Sequence, residues 1–285
     1  MIEAAETVEK VRASVAEARR QGKKIGLVPT MGALHIGHTS LIEEAAKRTD
    51  FIVVSIFVNP TQFGPGEDFR KYPRPFEDDL EICRKAGVDL VFAPTAEQMY
   101  GAENLTWVNV EKLTEPLCGQ FRPGHFRGVT TVCAKLFNIV LPDIVFFGQK
   151  DAQQAIVIKR MAADLNMPLE IVVCPTVREP GGLAMSSRNQ YLTQRQKKDA
   201  AQIYKSLLKC RDMIESDVKD TQEIIAAMRQ ILEQALSIEI QYVSIVDAET
   251  LRSLDKAAKE VLAAVAVKIG STRLIDNIVV HTPGK

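Results

Sequence analysis

The chain has 285 residues, room for two domains or one large one. Its 36 Lys and Arg offset 36 Asp and Glu, so there is no basic excess to hold DNA, RNA or an anionic membrane. With 46% hydrophobic and 25% charged residues the composition is that of a globular protein with a real core, which excludes disorder.

The acidic start MIEAAETVEK has helical character and lacks the basic, apolar opening of a signal peptide. Val8, Val11, Val15 and Ala18 recur at helical spacing up to a Gly22, Lys23, Lys24 stop. A short apolar run over 25–28, ended by Pro29, predicts a buried strand. Helices are then expected over 36–47, 76–86, 126–140 and 152–165, and strands over 51–58, 88–92, 144–147 and 169–173. Strands alternating with helices of this length predict βαβ units and a parallel sheet covered on both faces. A loop over 176–189 links this part to two charged amphipathic helices (194–214 and 221–236) and three strands (238–246, 261–269, 272–280), expected to be antiparallel. The fold class is therefore α/β, a Rossmann-like doubly wound parallel sheet over 1–180 with a smaller C-terminal α+β domain over 181–285. Apolar stretches are too short to span a bilayer. Five scattered cysteines without a C-x-x-C argue against a disulfide framework or a cysteine zinc site and fit a reducing cytoplasm.

The most informative segment is VPTMGALHIGHT, between the first buried strand and the helix after it. In a doubly wound sheet ligands bind there, at the carboxyl ends of strands and against a helix N-terminus. Gly32 and Gly37 have P-loop spacing, but His38 stands where a Walker loop needs Lys, and no G-x-G-x-x-G occurs. What remains is His35, Ile36, Gly37 and His38 at a helix start. Two imidazoles three residues apart at a positive helix end can donate hydrogen bonds to phosphoryl oxygens. The same histidines can equally be capping or surface groups. A zinc site would need a third ligand; His125 is available, but no ligand spacing supports it.

The HIGH tetrapeptide resembles the signature of the nucleotidyltransferase superfamily that includes class I aminoacyl-tRNA synthetases. The longer string VPTMGALHIGH, followed in order by FVNPTQFGPGEDFRKYP, FRPGHFRGV, FFGQKD with Gln154, and PTVREPGGLAMSSRN, resembles the pantoate–β-alanine ligase family from Val28 to Asn189. That resemblance implies ATP-dependent condensation of pantoate with β-alanine through an acyl-adenylate, with Mg2+ accompanying ATP and a homodimeric enzyme. It implies an ATP site at Met31, Gly32, Ala33, Leu34, His35, Ile36, Gly37, His38, Gly148, Gln149, Lys150, Asp151, Val177, Met185, Ser186, Ser187 and Arg188. Within it His35, His38 and Lys150 act on the reacting phosphates, His38 being the better placed to donate a proton. Gln62, Gln154 and Met31 would shape the pantoate pocket, with Asn59 beside them.

Each block also has a plainer reading. Asn59 before Pro60 can simply make a turn, and Asp151 can simply cap a helix. Lys150 is a mobile point charge suited to polyphosphate. Ser186, Ser187 and Arg188 stand where relatives in the superfamily carry KMSKS. They supply two hydroxyls and a guanidinium for phosphates, or form a serine-rich linker. Gly181 and Gly182 would let that loop close and exclude water. An arginine of the RPGHFRG cluster, Arg122 or the weaker candidate Arg127, can meet a carboxylate or a neighbouring subunit, and His125 reads as structural. Asp78 and Asp79 can assist Mg2+ or be solvated helix charges; no metal ligands are assigned. Gln149, Ala152 and Gly181 depart from the Glu, Phe and Asp usual in the family, leaving the Lys150–Asp151 pair intact. A tRNA synthetase would need an RNA-binding face the neutral chain does not advertise, and a mere nucleotide binder has no need of phosphate-neutralising groups at three places. Expected partners are small molecules, with neither nucleic acid nor membrane.

Overall fold

In the computed structural model, residues 3–282 are described; the domain limits expected at residues 1 and 285, and the first two residues of the acidic start, lie outside them. The chain runs β1 (Glu3–Ala5), α1 (Val8–Arg20), β2 (Ile25–Thr30), α2 (Ile36–Arg48), β3 (Phe51–Ile56), α3 (Phe76–Lys85), β4 (Leu90–Phe92), α4 (Ala96–Tyr100), α5 (Cys118–Phe121), α6 (His125–Val140), β5 (Ile144–Gly148), α7 (Ala152–Asp164) and β6 (Glu170–Cys174). It continues with α8 (Gln194–Glu215), α9 (Thr221–Glu233), β7 (Ile238–Asp247), β8 (Glu260–Ile269) and β9 (Thr272–His281). Two compact units result. One comprises Met1–Thr114, Arg122–Gln149 and Gln154–Pro175; the other comprises Glu115–Phe121, Lys150–Gln153 and Thr176–Lys285. No described helix is long and apolar enough to cross a membrane.

The first unit is built on a six-stranded sheet, order β1-β4-β3-β2-β5-β6, parallel throughout. Side chains alternate across it. On one face Val28, Ile52, Val54, Val91, Ile144 and Phe146 pack with Leu41, Ile42 and Ala45 of α2 and Cys83 of α3. Their neighbours in sequence, Ile25, Leu27, Val53, Leu90 and Val145, are equally buried on the opposite face, where α1 and α6 lie. Coverage on both sides explains why the strands read as continuous apolar runs. Apart from the edge strand β1, the strand order of the sheet reverses between β2 and β5, which is where a doubly wound fold opens a crevice.

Two local departures from the sequence expectation have simple causes. β1 was not anticipated, because a three-residue edge strand is too short to show a period; Thr7 then starts α1 by accepting the Lys10 N–H. β2 runs through Pro29 to Thr30 rather than stopping at Val28. The Thr30 carbonyl accepts from Phe57 on the β3 side, so the N–H that Pro29 lacks would have faced β5. Pairing with β5 has already ended at Leu27, so the proline removes no ladder bond.

The second unit holds the antiparallel sheet β7-β8-β9. Ile203, Leu207 and Cys210 of α8 and Ile224, Met228 and Leu232 of α9 cover Val243, Val261, Val265 and Val267. Each such fully buried aliphatic side chain contributes about 1.5–3 kcal/mol. Thr193 and Gln196 form a reciprocal capping box that fixes where α8 begins.

Candidate active site

The first βα loop is held by its own histidines. His35 is the N-cap of α2, and its Nδ1 accepts the Gly37 N–H at 3.1 Å. In return the Nδ1 of His38 accepts the His35 N–H at 3.2 Å, and the rings lie 4.1 Å apart. The capping reading and the catalytic reading thus describe the same two side chains. Because each Nδ1 accepts, its proton resides on Nε2, so both rings present an N–H donor at the positive end of a 13-residue helix.

The loop before them is braced by a buried carboxylate. Gly32 and Ala33 both take left-handed backbone conformations, and the Ala33 and Leu34 N–H groups donate to Asp79 of α3 at 2.8 and 2.7 Å. Burial raises the Asp79 carboxyl above its ordinary range, against the pull of those two N–H bonds. With both oxygens engaged in this way, Asp79 anchors the loop. No group of three or more His, Cys, Asp or Glu able to hold a metal occurs among the described residues. Met31 and Gly32 line a cavity of about 360 Å³ walled by Ile56, Phe57, Phe69 and Phe76.

After β3, the turn Pro60–Gln62 carries two amides of opposite character. Asn59, expected either to line the substrate site or simply to make a turn, is wholly buried. Its Oδ1 accepts from the Thr61 N–H, the Thr61 hydroxyl and the Tyr100 hydroxyl, and its Nδ2 donates to the Gly128 carbonyl. It fastens the turn to α6. A Cβ at Gly128 would run into the Thr61 carbonyl, so the glycine is what permits that approach. By contrast, the Gln62 side chain has no hydrogen-bond partner among the described residues, while its backbone carbonyl accepts from Arg122 at 3.1 Å and from His125 Nδ1 at 2.8 Å. Arg122 also grips Glu67 through two bonds of 2.7 and 2.8 Å. Burial opposes ionisation of Glu67, but the Arg122 bonds and charge outweigh it and hold the carboxyl below its usual range. Arg122 is therefore the arginine of its cluster that meets a carboxylate. Arg127 lies over the Trp107 ring at 4.8 Å.

In the second unit, Lys150 lies in the turn Gln149–Asp151 after Gly148, with its ammonium 3.6 Å from Asp151. Its carbonyl accepts from Asn277 of β9 at 2.9 Å. The neighbouring Asp276 forms a bidentate pair with Arg178 at the base of the 176–189 loop. Successive residues of β9 thus anchor the segment bearing Lys150 and the loop bearing Ser186, Ser187 and Arg188. Val177 contributes its carbonyl to Met185, and Ser186 caps the turn Ser187–Tyr191 by accepting the Arg188 N–H. Of the glycine pair, only Gly182 is closely packed. Gly182 has φ +90°, its carbonyl accepts from Arg178, and a Cβ there would meet the Tyr204 ring at 2.6 Å. Gln154 is half-buried on α7. Sequence reasoning did not find Asp276, Asn277 or Tyr204, which lie outside every recognised block and act through contacts across the fold.

All five cysteines are buried and unpaired, and burial pushes the Cys83, Cys133 and Cys210 thiols up to about 12. That leaves these three without thiolate chemistry.

Comparisons with known proteins agree with this geometry. The family described as pantoate-beta-alanine ligase matches residues 3–279. A pantothenate synthetase from Moorella thermoacetica is 54% identical over 280 residues, 98% of this chain and 99% of that protein. One from Geobacter sulfurreducens is 53% identical over 96% of this chain and 97% of that protein. The crystal structure of pantothenate synthetase from Thermus thermophilus superposes with a TM-score of 0.93 at 43% identity, covering 97% of this chain and 99% of that one. The pantoate-beta-alanine ligase of Francisella tularensis, described as complexed with beta-gamma ATP and beta-alanine, gives 0.81 at 35% identity over 98% of both chains. With its HIGH loop at the start of α2 and this likeness running nearly end to end, the chain belongs to the pantoate–β-alanine ligase family, enzymes that form a carbon–nitrogen bond.

Proposed function

We propose that the chain joins pantoate to β-alanine at the cost of ATP, with its loops in the following roles. A pantoate carboxylate oxygen attacks the α-phosphorus; the bond from that phosphorus to the bridging oxygen breaks and pyrophosphate leaves. The β-alanine amine then attacks the acyl carbon of the mixed anhydride, the carbon–oxygen bond to AMP breaks, and the amine proton passes to solvent. No covalent enzyme intermediate is required; positioning and charge neutralisation are the protein's contribution. His35 and His38 donate Nε2–H to the α-phosphoryl oxygens as negative charge builds there. Met31 to Leu34 and Ile36 to Gly37 bring backbone to the nucleotide. Lys150, Ser186, Ser187 and Arg188 hold the departing pyrophosphate, with Gly148, Gln149, Asp151, Val177 and Met185 shaping that region. Gln62 and Gln154 bind the hydroxyl and carboxylate oxygens of pantoate against Met31, and Asn59 serves by holding the Gln62 turn.

ATP enters as its Mg2+ complex, with the ion carried on the phosphates; this suits a donor set in which Asp79 is already engaged by backbone. Bound there, the ion supplies charge neutralisation on the pyrophosphate. The enzyme works in the cytoplasm as a homodimer. The observation carrying this reading is the paired-histidine cap, which aims two neutral N–H donors from one helix end. Pyrophosphate release from ATP tests it: release requires pantoate, and AMP and pantothenate appear when β-alanine is added. Release without pantoate, or none with it, removes the assignment.

A further inference from the structure

The RPGH segment before α6 has no part in the chemistry above, yet it makes the densest polar network on the Gln62 turn. Arg122 donates to both Glu67 oxygens, to the Gln62 carbonyl and, at 2.9 Å, to Nε2 of His125. A guanidinium only donates, so His125 Nε2 is an acceptor and its Nδ1 carries the proton given to the same Gln62 carbonyl. Two N–H donors therefore converge on one backbone oxygen. Glu67 closes the ring by accepting the Gly64 N–H at 3.2 Å, just beyond the turn. Arg122 and Glu67 side chains are mostly buried, at 15% and 25% exposure, so the pair is shielded from the screening that makes surface ion pairs weak. All this order is applied to the main chain of a residue whose side-chain amide is engaged by no described residue. The turn is tied down where Gln62 is attached, and the largely buried Gln62 side chain keeps its amide unengaged by any described residue, for a ligand to meet.

We infer that Glu67, Arg122 and His125 are positioning residues that pre-orient the Gln62 amide for pantoate. The inference rests on the assignment of Gln62 to pantoate made above. A side chain hung from a fixed carbonyl loses less freedom when it binds, so loosening the carbonyl weakens the substrate that Gln62 touches and leaves others alone.

The test is a kinetic cycle on the full-length enzyme with Gln62→Ala, Arg122→Met, His125→Ala and the combination of Gln62→Ala with each of the last two. Arg122→Met and His125→Ala are expected to raise the pantoate KM about tenfold or more while changing the ATP KM less than about twofold. In the Gln62→Ala background the same changes should add less than about twofold, since the residue they act through is gone. His125→Asn, whose amide can replace the Nδ1–H donor, should recover most of the lost affinity. If Arg122→Met does not fold, Glu67→Gln, which keeps the shape of the side chain, carries the same cycle with His125→Ala. Parallel rises in ATP and pantoate KM, or effects that multiply in the Gln62→Ala background, overturn the inference. If Gln62→Ala raises the pantoate KM while the network variants leave it at wild type, the inference alone fails. If Gln62→Ala leaves the pantoate KM unchanged, the pantoate assignment fails and the inference with it.

Discussion

The first βα loop and the 176–189 loop are both assigned to phosphate, and they are built in opposite ways. The first presents neutral donors: two histidines cap each other within four residues, and one buried carboxylate on α3 ties the preceding turn. The second presents a guanidinium and hydroxyls, and to its local bonds it adds a bidentate pair from far along the chain, Asp276 on Arg178. The difference teaches that order at a helix start can come from local hydrogen bonds. The 176–189 loop has local bonds too, but the arginine at its base is also fixed by a carboxylate on a strand.

The largest expected effect tests the charged side of this comparison. Lys150→Ala should slow pantoate-dependent adenylate formation by about 10³-fold, as loss of a group that stabilises transition-state charge does. Attack of β-alanine on preformed adenylate should be nearly unchanged; equal loss in both half-reactions, followed by quenched flow, would remove Lys150 from phosphate binding. Next comes the clamp. Arg178→Met leaves Asp276, 3% exposed, without its partner and should cost about 3–5 kcal/mol in urea unfolding. Arg178→Met with Asp276→Leu should recover most of that stability, and failure to do so would mean the pair is not the anchor of this loop.

On the neutral side, Asp79→Asn replaces one acceptor oxygen by an NH2 group facing a backbone N–H. Displacement of the histidines should lower kcat/KM by about 10²-fold. A variant with full activity would show that the loop holds itself. The smallest effect is a pH dependence. Glu67 has a folded pKa below its unfolded value, so its ion pair contributes stability above about pH 4.3, the ordinary Glu value. That contribution is lost as pH falls through the lowered folded pKa. The stability gap between wild type and Glu67→Gln near neutrality should therefore close in acid; a gap that persists at low pH would mean it does not come from the charge.

Much of the fold was legible beforehand because its elements are long and periodic. The helices Ile36–Arg48 and His125–Val140 and the central strands show their burial in their spacing, and the alternation of the two predicts a parallel sheet. The candidate site was legible as blocks, since the residues within HIGH, within the Gln62 turn and within the Ser-Ser-Arg loop are close together in the chain. What stayed hidden were side chains whose meaning lies in a distant partner. Asn59 looks like a ligand residue until Gly128 and Tyr100 are seen to occupy it. Asp79 looks like a solvated helix charge or a metal ligand until its two backbone donors appear.

The sequence by itself determined the α/β class, the order of the longer elements in the chain and the family. Those depend on hydrophobic period and on short motifs, both local properties. Only the tertiary structure decided which polar groups are left to act. Asn59, Asp79, Arg122, His125, Arg178, Asp276 and Asn277 have their donors and acceptors taken up by the fold in the contacts described. A buried polar group must find a partner, and that partner is chosen by packing across the fold rather than by position in the chain.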